Sequence, residues 1–309
     1  MKIACIAQRQ TVPKGGIPAY EAMISALKAD GHEIKHHQSP IPADMCLLWS
    51  VQFRNPKRRE IYDWYRSQGI PVLVIEVGAL NRNTLWRVGL NNIDWTAEFG
   101  LRQPLETGRY KNIGLNPRPW REDRGERILI TLQNDKCANW PYTYSSYEWL
   151  IETIRMLKRH TDRKITVRPH PRKRDPIPPE VQRSKGVTVE IPKLEGGGVD
   201  RTDFQTMLKS TWAVINVSSN PAVEAVLSGI PAFVASNNLA SPVCETDIRR
   251  IEHPVLPKRK DWLNRVAHTE WTVEEIRAGI PWQRIKPYVK AATSPATVTD
   301  HSQGTAQGR

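Results

Sequence analysis

The sequence predicts an α/β protein of two domains in series, each a parallel sheet covered by helices, ending in a helical C-terminal segment. Three observations carry this. Short apolar runs alternate with helical patterns from the first residues onward. The alternation breaks at an irregular stretch over 100–126, rich in proline, glycine and charge ("NPRPWREDRGE"), and then resumes. The chain has 309 residues, long for one core and comfortable for two domains of about 150 each. The expected boundary lies near 120: an amino-terminal domain over 1–120, a carboxyl-terminal domain with its helical extension over 121–290, and a disordered tail over 291–309.

The elements follow in order. "KIACIA" is short and apolar, as a parallel strand should be. "IPAYEAMISALKADGHEI" sets Ile17, Tyr20, Ile24 and Leu27 at helical spacing, with Pro18 in the first turn and Gly31 at the stop. "EIKHHQ" fits a second strand and "MCLLWSV" another buried run. "PKRREIYDWYRSQG" is a helix that turns Ile61, Trp64 and Tyr65 inward, and "IPVLVIE" is the clearest strand of this half. The second series runs strand "RILITLQ", helix 145–159, strand "KITVRPH", a proline-rich loop, strand "GVTVEI", a glycine-rich loop, helix 202–210, strand "AVINV", helix 221–228 and strand "PAFVA". Beyond 245 the pattern becomes helical and tryptophan-bearing, with Thr272 and Glu275 in a capping-box pattern. Residues 291–309 offer almost nothing apolar to bury.

Composition narrows the function classes. Hydrophobic residues make up 39% and charged residues 25%, a globular balance. No apolar run reaches the roughly 18 residues of a membrane-spanning helix, so no transmembrane segment is expected. "MKIACIAQRQ" turns polar too soon for a signal peptide. The four cysteines are scattered without a CxxC pair, which suits reduced thiols in a cytoplasmic protein. The net charge of +13 favours polyanionic partners: DNA or other nucleic acid, an anionic membrane surface, or a phosphorylated substrate. The densest cluster, 163–185, holds eight Lys/Arg against two acids. It reads as an anion-binding surface around "RPHPRKR" or as a solvated basic face.

Four motifs sit at predicted strand ends, where open parallel sheets bind ligands. In "INVSSNPAVEAVLSGIPAFVA" (215–235), Pro221 fits the first helical position and Asn220 can cap. Ser218 and Ser219 then lie where free backbone N–H groups and the positive end of the helix converge, an anion site to which hydroxyls add donors. Glu224 is one turn along, where a carboxylate can accept from a vicinal diol such as a ribose. Phosphate at the tip with ribose one turn away describes a nucleotide. An ordinary helix start with a solvated acid uses the same residues, and the local pattern leaves both open. In "TVRPHPRKR", His170 follows a strand, Pro171 stiffens the turn, and Arg168 and Arg172 flank it, a set suited to a phosphate or to a plain basic loop. His36-His37 lacks a partner at ligand spacing and His170 has no second His or Cys nearby, so no metal site is expected. In "PKGGIPAYE", Gly15 and Gly16 allow close approach of backbone to a ligand, or a simple turn; the pattern is not GxGxxG, so dinucleotide binding is not indicated. In "VLVIEVGALNR", Glu76 ends the strand as a candidate general base or as a capping or salt-bridge residue. Arg82 and Arg87 follow as candidates for contacting an acceptor or a phosphate.

These residues carry a resemblance. "KGGIPAYEAMISALKADGHEI" resembles the amino-terminal glycine-loop helix of GT-B glycosyltransferases, and "AVEAVLSGIPAFVA" is similar to their carboxyl-terminal Glu-Ala…Gly-x-Pro signature. His170-Pro171 and Ser218-Ser219 resemble the HP and Ser-Ser motifs of bacterial sialyltransferases and capsule-type Kdo transferases. The resemblance implies the GT-B fold, two Rossmann-like domains facing across a cleft, with a nucleotide-sugar donor as co-substrate and no other cofactor. It implies that Glu224 holds the donor ribose and that His170, Pro171, Ser218 and Ser219 hold its nucleotide and phosphate. Those families carry their base in an acid-acid-Gly motif of the first domain. This chain has Glu76-Val77-Gly78 there and lacks the acid nearest the glycine.

The leading expectation is a glycosyltransferase whose donor sits on the second domain and whose acceptor hydroxyl is deprotonated on the first. Positive charge would stabilise the leaving phosphate, and no Asp-x-Asp metal motif is present. The charge balance tilts the acceptor toward hydroxymethylated pyrimidine in DNA, as in phage DNA glycosyltransferases, and the eleven tryptophans could include platforms for an extruded base. An envelope or capsule glycan is the alternative acceptor. A nucleotide-sugar 2-epimerase and a non-catalytic nucleic-acid-binding protein are the alternative classes.

Overall fold

The computed structural model describes residues 1–6, 14–51, 56–82, 84–122, 125–135, 140–171, 175–195, 198–199 and 201–289. The predicted tail over 291–309 therefore lies outside the described residues. The first half runs β1 (Lys2–Ile6), α1 (Ile17–Ala29), β2 (Glu33–His36), β3 (Met45–Trp49), α2 (Pro56–Ser67), β4 (Val72–Val77), β5 (Trp86–Leu90) and α3 (Arg109–Asn112). The second runs β6 (Arg127–Thr131), α4 (Ser146–Leu157), β7 (Ile165–Arg168), α5 (Pro179–Gln182), β8 (Val187–Val189), a small hairpin of β9 (Leu194–Glu195) and β10 (Gly198–Val199), α6 (Arg201–Lys209), β11 (Thr211–Asn216), α7 (Pro221–Leu227) and β12 (Ala232–Val234). The chain closes with α8 (Lys260–Val266), β13 (Glu270–Trp271), α9 (Val273–Arg277) and α10 (Ile280–Ile285).

Two Rossmann-like sheets result, as predicted. The second has the order β12-β11-β6-β7-β8, parallel at every pairing. All but the edge strand β8 are buried on both faces, which is why they read as unbroken apolar runs. Ile128, Ile130, Val167 and Ile215 pack under α4, while Leu129 and Val214 pack on the opposite side with α6, α7 and α8. The chain leaves β6 toward β7 on one side, and β11 pairs with β6 on the other, so the strand order reverses between β6 and β11.

The first sheet has the order β13-β5-β4-β3-β1-β2. Its first four strands are parallel, but β5 runs antiparallel to β4 and β13 antiparallel to β5. The parallel sheet expected from the βαβα pattern is β1 to β4, and β5 and β13 add antiparallel strands at one edge. The link from β4 to β5 is a short turn, too short for the crossover a parallel neighbour needs. Arg87 and Gly89 also hide β5 inside what reads as a polar loop.

The C-terminal stretch returns to this first sheet rather than ending on the second. Trp86 pairs with Trp271 across β5 and β13, and Trp282 is fully buried in the same core as α1. Its indole N–H donates to Asp30 at the end of α1 (2.7 Å), which also accepts from Gln283 (3.1 Å) and Lys286 (3.0 Å). Thr272 and Glu275 form the predicted capping box of α9. Glu275 also pairs with Arg109, whose guanidinium lies 4.3 Å from the Trp271 ring. Among the described residues no helix is long and apolar enough to cross a membrane.

Candidate active site

The reversal point between β6 and β11 is where a doubly wound sheet binds its ligand. Two loops meet there. Gln133, two residues past β6, accepts the Ser218 backbone N–H through Oε1 (2.9 Å), and its Nε2 donates to Ser218 Oγ (3.0 Å). The Ser219 carbonyl accepts from Asn216 Nδ2 (3.1 Å) and Asn238 Nδ2 (2.7 Å). Three buried oxygens at these strand ends have no hydrogen-bond partner: Thr131 Oγ1, Asn216 Oδ1 and Ser219 Oγ. Buried polar atoms in folded proteins are nearly always paired, so such a cluster marks a place where a partner belongs. Helix α7 starts at Pro221, as the proline predicts. Asn220 precedes it but makes no side-chain cap, which corrects the capping role expected of it. Its Oδ1 instead faces Arg87 Nη2 at 3.5 Å. Glu224 is half-buried one turn along and accepts from Gln205 Nε2 (3.3 Å).

The end of β7 divides its predicted residues. Arg168 is 5% exposed and ion-paired to Asp203 of α6 at 2.8 Å. Its Nη1 lies 2.8 Å from Met207 Sδ, and its guanidinium 5.7 Å from the Phe204 ring. Burial pushes the Asp203 carboxyl up, but the hydrogen bonds from Arg168 and the Lys193 N–H outweigh it and hold the group below the usual carboxylate range. Arg168 thus fastens α6 to the sheet. His170 and Pro171 are half-buried beside the strand end. Arg172 lies outside the described residues.

On the first sheet, Glu76 is buried near the carboxyl end of β4. It accepts from Ser50 Oγ at the end of β3 and, through Oε1, from the Val77 N–H (2.8 Å). Arg58 of α2 donates to the Ser50 carbonyl (3.1 Å). Burial pushes the Arg58 guanidinium down, and the negative charge of Glu76 opposes this. Gly15 is exposed. Gly16 is close-packed against protein: a Cβ there would lie 2.3 Å from the Trp49 ring. Arg82 is exposed.

Arg87 is buried and stands opposite Glu76 in the β4–β5 register. Its Nε and Nη2 each lie 3.2 Å from Glu270 Oε1, and Nη1 donates to the Ile93 carbonyl (2.8 Å). Glu270 is fully buried and also accepts the N–H groups of Ala79 (2.5 Å) and Leu80 (3.0 Å). A Cβ on Gly78 would lie 2.6 Å from Glu270 Oε2 and 2.4 Å from the Leu85 carbonyl oxygen. An acid therefore does lie against this glycine, delivered by β13 and saturated by donors. Among the described residues no group of three or more His, Cys, Asp or Glu side chains gathers as a metal site would.

Sequence reasoning missed Gln133, Ser50 and Glu270. The first two could have been found as the polar residues that end buried strands, the signal that found Ser218 and Glu76. Glu270 carries no local signal, since its partners lie more than 180 residues earlier.

No family model matches the chain, and no curated protein matches it. Similar solved structures include two of Thermosulfurimonas dismutans KpsC. The chain is 13% identical to the beta Kdo 2,4 transferase, covering 90% of this chain and 97% of that one with a TM-score of 0.47. It is 14% identical to the beta Kdo 2,7 transferase, covering 92% and 99%, also at 0.47. The glycotransferase of kitacinnamycin is 10% identical over 94% and 96%, at 0.24. Likeness at this level does not extend to function.

Proposed function

We propose that the chain is a GT-B glycosyltransferase that moves a sugar from a nucleotide-sugar donor to an acceptor hydroxyl. The observation that carries this is the polar cluster at the β6/β11 reversal. Gln133 and Ser218 join the two loops, and Thr131, Asn216 and Ser219 contribute three unpartnered buried oxygens beside them. Polar groups gathered at such a reversal suit a nucleotide. The donor phosphate would meet Ser218, Ser219 and His170, and its ribose would meet Glu224. The acceptor would lie against the first sheet, where Glu76 is the candidate base. Deprotonation of the acceptor hydroxyl by Glu76 would form the new bond to the anomeric carbon as the bond to phosphate breaks. Arg168, committed to Asp203, would support the donor site through β7 and α6 without touching the phosphate. Arg82 is the exposed acceptor-side candidate.

A glycan hydroxyl is the acceptor we adopt. Arg87, Arg109, Arg127, Arg163 and Arg168 each face a carboxylate within the fold, so these five cations are committed to the protein rather than offered to a polyanionic acceptor. Mass spectrometry across a panel of nucleotide sugars tests the reading, with oligosaccharide and hydroxymethylated DNA acceptors side by side. Sugar added to an oligosaccharide is expected, and should be lost in Ser218→Ala and Glu76→Gln. Mass added only to DNA would move the proposal to the DNA acceptor. Interconversion of donors with no acceptor modified would point to an epimerase.

A further inference from the structure

The geometry points to Ser50 as a positioning residue for the Glu76 carboxylate, an inference that rests on Glu76 as the base. Ser50 follows β3 directly, is 6% exposed, and has a φ of 61°. That left-handed region is strained for an L-residue and natural to glycine. Among the described residues only Asn91 shares it off glycine, and asparagine tolerates it well. A buried serine held there needs a reason.

Its bonds supply one. The Ser50 N–H donates to the Ile75 carbonyl (2.8 Å), extending the β3–β4 ladder by one residue. Its carbonyl accepts from Arg58 Nη2 (3.1 Å). Its hydroxyl donates to Glu76 Oε2. Glycine would make the first two bonds at lower backbone cost. Only the hydroxyl makes the third, so the hydroxyl is what serine adds, and it goes to the carboxylate.

The consequence is orientation. With Ser50 on Oε2 and the Val77 N–H on Oε1 (2.8 Å), each oxygen of Glu76 accepts one donor and keeps lone-pair capacity for an incoming proton. Donors of this kind fix a carboxylate rotamer. The charged groups around it act in the same setting. Arg58 faces it from α2 and also feels Tyr20 of α1. Arg87 stands opposite on β5, already paired to Glu270 of β13.

The test uses Ser50→Gly and Ser50→Ala. Ser50→Gly removes the hydroxyl while relieving the backbone, so it keeps the experiment readable if Ser50→Ala folds poorly. In protein carrying 13C-carboxyl glutamate, the Glu76 resonance, assigned by its loss in Glu76→Gln, is expected to move in both variants at fixed pH. With the donor panel above, kcat should fall about tenfold or more, with donor KM within about twofold, as expected when a reacting group loses its orientation. An unmoved Glu76 resonance with an unchanged kcat would overturn the inference. If Glu76→Gln itself leaves turnover intact, the reading of Glu76 as base falls, and the resonance alone decides whether Ser50 positions it.

Discussion

Arg87 Nη2 stands 3.5 Å from Asn220 Oδ1, joining the first sheet to the loop that ends β11. Arg87 is the cross-strand partner of Glu76, and Asn220 lies two residues past Ser218. Cross-strand partners share a face of their sheet. The contact therefore brings the loop after β11 against the face of the first sheet that carries Glu76. It is long for a hydrogen bond, whereas the bonds from Arg87 to Glu270 are buried and paired.

That contrast gives the first prediction. Asn220→Ala should leave stability within about 0.5 kcal/mol, because it removes only a long contact. Glu270→Ala should cost about 3–5 kcal/mol, since it strands the Arg87 charge in the interior and leaves the Ala79 and Leu80 N–H groups unpaired. Urea denaturation of the two variants checks this. Similar losses in both would show that the interdomain contact, not the ion pair, anchors Arg87.

Gly78→Ala is expected to destabilise the first domain. A Cβ there falls 2.4 Å from the Leu85 carbonyl oxygen and 2.6 Å from the Glu270 carboxylate, and neither can withdraw without breaking the β4–β5 turn or the ion pair. Overpacking of this kind costs about 1–3 kcal/mol. A thermal melt of the alanine variant should show a lower Tm. An unchanged Tm would mean that the turn yields freely and that Glu270 is loosely held.

Much of the fold was legible because buried parallel strands announce themselves. "IPVLVIE" and "AVINV" are apolar on both faces, and the Pro and Gly that bound them have few other uses. β5 was not legible: Arg87 and Gly89 interrupt its pattern, and the reason an arginine is buried there is an acid far along the chain. The return of β13 and α10 was likewise invisible, since Trp282 has its partners on α1. At the site, Ser218 and Glu76 could be named because a polar residue that ends an apolar run stands out. Arg168 stood out for the same reason, and its sequence could not show Asp203 waiting on α6. Gly16 allows a close approach, and the group packed against it is the Trp49 ring, which lies 33 residues on and gives no local sign in the sequence.

The C-terminal return should be acid-sensitive. The hydrogen bond from Lys286, followed by that from the Trp282 indole, holds the Asp30 carboxyl well below the usual carboxylate range. Burial pushes Glu275 up, but bonds from Arg109 and the Thr272 N–H outweigh it and leave it lowered too. A carboxyl lowered in the folded state contributes stability fully present above its unfolded value, near 4, and lost as pH falls toward its folded value. Burial lowers His32 as well, assisted by the N-terminal charge, so protonating it opposes folding as pH drops below about 6.5. Tryptophan fluorescence should therefore report loosening of the Trp282 contact mainly below about pH 4. Asp30→Asn should remove part of this dependence and lower stability at neutral pH. A variant with the same acid profile as wild type would show that Asp30 does not hold the clasp.

The donor half of the site makes the last prediction. Gln133 fixes Ser218 from both sides, through its backbone N–H and its hydroxyl. Gln133→Ala should lose both bonds, each contributing about 1 kcal/mol, and should free the loop that would meet the donor phosphate. Thermal-shift titration with a panel of nucleotides and nucleotide sugars reads the result. The best-binding nucleotide of the panel is expected to bind about tenfold or more weakly in Gln133→Ala and Ser218→Ala. A change at an exposed position of the edge segment after β8, such as Ile191→Thr, should leave binding unchanged. If the two site variants bind as wild type does, the nucleotide does not sit at the reversal between β6 and β11, and the polar cluster there is structural.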